Sequence, residues 1–186
     1  FQLTLQAPPN STIPYAGEIA ALCALHWLQR DQYALAEERM QTALQRFMPT
    51  PNLHYVAANL ALHAQRYDEA IRHFETCLGY HGKVLAVGIQ AGVTSYVAWT
   101  GIAQCHIELG KPALAKHVLA QAQRARPDYE PTVLVAARLE LQAGRIGPAL
   151  TLLTEFLQHN PSAAECCRQV AFILAELGDE ARAQKF

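Results

Sequence analysis

Gly110, Gly144 and Gly178 stand 34 residues apart, and Pro127 and Pro161 keep the same interval. A breaker recurring at this spacing constrains a chain more than any local propensity does. It divides the sequence into copies of one small unit, each able to bury its apolar face only against a neighbour. Carried upstream, the register aligns Gln65-Arg66-Tyr67-Asp68-Glu69-Ala70 with Asp31-Gln32-Tyr33-Ala34-Leu35-Ala36, again 34 apart. Units are therefore expected at 17–50, 51–84, 96–129 and 130–163, with a truncated unit at 164–186. An eleven-residue insertion, 85–95, separates the second unit from the third, and residues 1–16 precede the array as an extended segment or linker.

Within the third unit Trp99, Ile102, Ala103 and His106 fall at i, i+3, i+4 and i+7. The same places hold Ala20, Cys23, Ala24 and Trp27; His54, Ala57, Ala58 and Ala61; Val133, Ala136, Ala137 and Glu140; and Cys167, Val170, Ala171 and Leu174. A second stripe follows in each full unit: Ala36, Met40 and Ala43; Ala70, Phe74 and Cys77; Ala115, Leu119 and Ala122; Ala149, Leu153 and Phe156. This spacing predicts two amphipathic helices per unit. Alanine holds the third place of the first quartet in all five units, where a small side chain lets two helices approach closely. That gives a physical reason for the composition, in which 32 alanines and 24 leucines stand among 186 residues. The glycines are expected to end helices at positive φ, and the prolines to block continuation.

The Trp99...Ala103...Gly110...Ala115...Leu119...Ala122...Pro127 pattern and the Tyr67-Asp68-Glu69-Ala70 turn resemble tetratricopeptide repeats, over about nine-tenths of the chain. The resemblance implies an all-α fold: a right-handed superhelix of antiparallel helix pairs, an α-solenoid of about four and a half repeats. Its first helices would line a concave groove. His106 and Glu140 depart from the apolar or aromatic residue usual at their place, and Asp31, Gln65 and Pro112 depart from the usual turn residues. The Ala91-Gly92-Val93-Thr94-Ser95-Tyr96 run and the later Pro127-Asp128-Tyr129-Glu130-Pro131 are also similar to bacterial proteins in which such repeats follow a family-two glycosyltransferase domain. On that similarity the chain would be the non-catalytic tail of a sugar-transferring enzyme, recruiting or ordering its acceptor.

First-helix side chains that avoid the seams between units are expected to face the groove. These are Tyr55, Asn59 and His63, then Thr100, Gln104 and Glu108, then Leu134, Arg138 and Leu141, and finally Arg168 and Phe172. Amides able to bond a backbone, mixed with apolar anchoring spots, suit an extended peptide or a helix. Tyr55, Asn59, His63, Thr100, Gln104, Arg138 and Arg168 are accordingly the candidate partner-binding residues of an interaction or scaffolding module. The equivalent residues of the first unit, Ala21, Leu25 and Leu28, are apolar and call for a cover, from residues 1–16 or from a preceding domain. The basic cluster with which co-chaperone repeats grip a terminal carboxylate is not matched: Asn59 fits in type, but Tyr55, Thr100 and Leu134 do not. Self-association through the apolar end of the truncated unit is a third reading. The insertion reads either as a loop packed on helix ends or as a flap over the groove.

Other chemistry is sparse. A net charge of −1 offers no electrostatic case for nucleic acid or an anionic membrane as partner. No run approaches about 18 apolar residues, so no membrane span is expected. Five irregularly spaced cysteines, none in a C-x-x-C pair, favour a reducing, cytoplasmic setting over a disulfide framework. Phosphate-cradling, dinucleotide and nucleophile-elbow motifs are missing, as is an Asp-x-Asp metal motif, so no catalysis and no cofactor are assigned. His73, Cys77 and His81 have helical spacing compatible with zinc but lack a fourth ligand, and are read as packing and surface residues. Cys166 and Cys167 are read as buried thiols, with Cys167 on the core stripe, and His106 as a hydrogen-bonded histidine of the packed face. A start at Phe1 and an end inside a helical pattern suggest a piece of a longer protein.

Overall fold

A computed structural model describes residues 16–83 and 88–186. The strand-like alternation of Phe1 to Leu5 lies outside them. Among the described residues ten helices form antiparallel pairs: α1 (Ala16–Leu28) with α2 (Tyr33–Arg46), α3 (Pro51–His63) with α4 (Tyr67–Leu78), α5 (Tyr96–Glu108) with α6 (Pro112–Ala125), α7 (Glu130–Gln142) with α8 (Ile146–His159), and α9 (Ala164–Glu176) with the short α10 (Glu180–Ala183). The same residues contain no strand.

The turn inside each pair is one structure made from different residues. Its pivot has a left-handed backbone in all five: Asp31 at φ 58°, Gln65 at 59°, Gly110 at 66°, Gly144 at 72° and Gly178 at 78°. In each, the residue after the pivot donates its N–H back across the turn, as from Arg66 to the Ala61 carbonyl (2.8 Å) and from Lys111 to that of His106 (2.8 Å). The pivot's own N–H bonds the carbonyl three residues earlier, Leu62 for Gln65 and Ile107 for Gly110. This double bond pattern satisfies carbonyls that a helix end would otherwise leave bare. Asp31 and Gln65, the departures from the usual turn residues, keep the same geometry without a glycine.

The second-helix stripes form the core as expected, and the first-helix quartets do so only in part: Trp27, His54, Trp99 and Glu140 are half-buried. All twelve second-helix stripe residues are buried, Ala36 through Phe156. The third-place alanines Ala24, Ala58, Ala103 and Ala137 are wholly covered, and Ala171 is half-buried. Each first helix packs on the next first helix, α1 on α3, α3 on α5, α5 on α7 and α7 on α9. Among the described residues no second helix brings its backbone as close to another second helix. Elements that meet their own counterparts occupy the tighter arc, so the first helices form the inner face and the second helices the outer.

Two details correct the sequence reading. Cys166 rather than Cys167 is the fully buried member of its pair, in the cluster of Val170, Ile173 and Leu174. His106 is only half-buried, and its Nδ1 is a covered atom without a hydrogen-bond partner among the described residues. The five thiols are free, and burial pushes those of Cys77, Cys105 and Cys166 up to about 12.

Candidate partner-binding groove

Three cavities follow one another along the inner face. The first, of 450 Å³, is walled by Ala21, Leu22 and Leu25 of α1 and by Asn52 and Tyr55 of α3. Glu18 and, from the insertion, Gly88, Ile89 and Gln90 complete its lining. The second, of 420 Å³, takes Leu28, Asn59, Leu62, His63, Gln65, Tyr67, Gln104 and Glu108. The third, of 400 Å³, takes Gln104, Leu134, Val135, Arg138, Leu141, Glu165 and Gln169. Tyr55 and Asn59, one helical turn apart on α3, join the first to the second, and Gln104 lines both the second and the third. A further cavity of 780 Å³ lies between α6, α7 and α8, lined by Gln123, Asp128 and Glu155 among others.

The charges of the inner face are mostly paired. Arg138 reaches Glu108 at 2.5 Å across the α5–α7 seam, and Arg168 contacts Glu165 on its own helix. Asn59 Nδ2 donates to the Tyr55 carbonyl at 2.7 Å, and His63 stacks on Tyr33 with ring centroids 3.5 Å apart. Burial raises the Tyr55 phenol above its ordinary pKa.

Two profiles of the tetratricopeptide repeat match the sequence, at residues 24–78 and 61–139, which together span well over half of the chain. The chain belongs to the tetratricopeptide-repeat family. Solved structures agree on the fold of this repeat array. A thermophilic TPR protein of Thermus thermophilus superposes with a TM-score of 0.72 at 16% identity, over 90% of this chain and 86% of that one. YrrB, described as a TPR protein with an unusual peptide-binding site, gives 0.55 at 17% identity over 94% and 82%. The Cut9–Hcn1 hetero-tetramer of the APC/C gives 0.66 at 20% identity over 83% of this chain and 29% of that one. No curated protein matches the chain by sequence.

The repeat array gathers six of the seven predicted residues near the inner face and removes one. Tyr55, Asn59, His63, Gln104 and Arg138 line the three cavities, whereas Arg168 is an exposed, paired side chain beside them. Thr100 is a correction. It is buried, donates to the Tyr96 carbonyl at 2.8 Å, and meets the Thr132 hydroxyl at 2.7 Å in the α5–α7 seam. The zinc-spaced residues also part company: Cys77 donates to the Pro51 carbonyl, His81 to that of Thr94, and His73 Nδ1 lies 3.0 Å from His54 Nδ1. No helix among the described residues is long and apolar enough to cross a membrane.

Sequence reasoning missed Glu18, Asn52 and the strip Gly88–Gln90. Glu18 carried a signal, as the one charge in the run Ala16 to Leu25. Asn52 fixes the strip in place: its Nδ2 donates to a Glu18 oxygen and to the Gly88 carbonyl (3.1 Å), and its Oδ1 accepts from Gln90 N (3.0 Å). The described residues of the insertion divide between core and groove. Val93 is fully buried in the core beside Phe74 and Val97, while Gly88–Gln90 line the first cavity.

Proposed function

We propose that this chain is an interaction module holding an extended segment of a partner protein along its inner face. The supporting observation is the continuity of the three cavities through Tyr55, Asn59 and Gln104. Recesses spaced along a helical surface, the first largely apolar and the second largely polar, accept side chains, and amide groups between them can bond an extended backbone. Internal pairing of Arg138 and Arg168 leaves the face without a concentrated positive charge, which favours internal segments over a terminal carboxylate. The peptide-binding site named for YrrB lies on a similar fold.

Random peptides panned against the chain test this reading. Binders should lose about tenfold or more in affinity when Asn59→Ala and Gln104→Ala are combined, with unchanged far-ultraviolet circular dichroism. Glu155→Ala, on the outer cavity, should leave the same peptides bound. Retained affinity in the double variant would remove the groove assignment.

A further inference from the structure

The first cavity carries an unbalanced charge. Glu18 is only 8% exposed, and among the described residues its Oε1 has no hydrogen-bond partner. Its other oxygen is taken by Asn52, whose two amide protons are both committed, to Glu18 and to the Gly88 carbonyl. Asn52 therefore has nothing left to give Oε1. A carboxylate buried with one neutral hydrogen bond is held at a cost that a cation removes.

No such cation lines the cavity among the described residues: none of its lining residues is Lys, Arg or His. Residues 1–15 contain no Lys, Arg or His, and 84–87 contain none either, so neither stretch has a basic side chain to bring to Glu18. The walls are Ala21, Leu25 and Tyr55, with Leu22 (66% exposed) and Ile89 (38% exposed) presenting bare hydrocarbon at the rim. An occupant matched to this site has a long apolar stem and a small cationic head. The unpartnered oxygen is itself covered, so it is met only by a small head that displaces its cover, an ammonium rather than a guanidinium fork, which is best met by two oxygens.

We propose that this cavity, with Glu18, Leu22, Leu25 and Ile89 in its lining, receives a lysine side chain of the partner polypeptide. That the lysine comes from a peptide rests on the groove reading; the selectivity for an alkylammonium does not. Glu18 serves as the charge partner, Asn52 holds that carboxylate in place, and Gly88–Gln90 complete the lining.

The test uses the full chain and Nα-acetyl-lysine N-methylamide as probe, followed by backbone amide shifts. Saturable changes are expected at Glu18, Ala21, Leu25 and Gly88–Gln90. The norleucine counterpart and the isosteric Glu18→Gln variant should each bind about tenfold or more weakly, and the arginine counterpart should also bind more weakly than lysine. The ligand series reads the site even where a variant fails to fold. Equal binding of norleucine would reduce the cavity to a hydrophobic recess, and equal binding of glycinamide would assign it to a chain terminus. Either result, or no saturable change at these amides, overturns the proposal. The two readings fail separately: peptides captured through Asn59 and Gln104 without lysine dependence sink this inference alone. Lysine binding at Glu18 with no peptide capture sinks the groove alone.

Discussion

The seam between the second and third helix pairs and the seam between the third and fourth join equivalent elements by different means. In the latter, α5 and α7 meet directly, with Thr100 and Thr132 sharing a buried hydroxyl contact. In the former, α3 and α5 touch least of all successive first helices. There Phe74 of α4 lies against Gly101 of α5, and Val93 of the insertion fills the core between them. One register of alanines and turns thus tolerates a widened joint, provided that a large ring and an inserted side chain replace the missing helix contact. The replacement depends on one residue, because a Cβ on Gly101 would overlap the Phe74 ring.

Gly101→Ala is the largest way to break this contrast. Alanine gains about 1 kcal/mol of helix propensity over glycine, yet overpacking against the ring should leave a net loss of about 2 kcal/mol. Chemical denaturation measures it. A cycle with Phe74→Leu should show a coupling of about 1 kcal/mol or more, since leucine vacates the space that the new methyl needs. Additive effects would mean that the seam absorbs the methyl elsewhere. Val135 occupies the place of Gly101 in the following pair and carries a full side chain there, lining the third cavity.

How much was legible in the sequence follows the same division. Periodicity locates the buried stripe of a helix that has a fixed number of neighbours, and the stripes from Ala36 to Phe156 are buried as expected. It fails on α5, which buries Val97, Ala98, Thr100, Gly101, Cys105 and Ile107 while Trp99 and His106 of its stripe stay half-buried, because Val93 of the insertion packs on one side of the helix and α7 on another. Thr100 was assigned to the groove because its burial comes from Thr132 on the next first helix, a contact that periodicity within one helix does not locate. Glu18 was passed over for another: its partner Asn52 occupies the equivalent place one unit later, and only the fold brings the two side chains together.

The hydroxyl pair sharpens the direct seam. Thr100 has one proton and gives it to the Tyr96 carbonyl, so Thr132 must donate to Thr100. Thr100→Val leaves the Thr132 proton without a partner and should cost about 2 kcal/mol. Thr132→Val leaves only a spare lone pair and should cost about 1 kcal/mol. A larger loss for Thr132→Val than for Thr100→Val would point to a reversed donor. Thermal midpoints of the two variants decide it.

Acid should act on the side of the widened seam. Burial, and secondarily the charge of His73, hold His54 down to about 4. The unfolded chain, with an ordinary histidine, binds more protons between about pH 6.5 and 4, so stability falls as pH drops through that window and is fully present above it. Discounted for the partial exposure of the ring, the loss attributable to His54 is about 1 kcal/mol. His54→Gln should flatten the profile by that amount, and an unchanged slope would assign the acid sensitivity to other groups.

The smallest effect concerns the turns that flank the contrast. Gln65 and Gly110 close the pairs on either side of the widened seam with the same backbone, φ 59° and 66°, but only one of them has a side chain to strain there. A left-handed residue with a Cβ costs roughly 1–2 kcal/mol, part of which glycine returns through its looser unfolded state. Gln65→Gly should therefore stabilise the chain by about 0.5 kcal/mol, read as a small rise in the denaturation midpoint. Gln65 also lines the second cavity, so the same variant separates two roles. Raised stability with unaltered peptide capture makes Gln65 a turn residue alone, and weaker capture gives it a place in the groove.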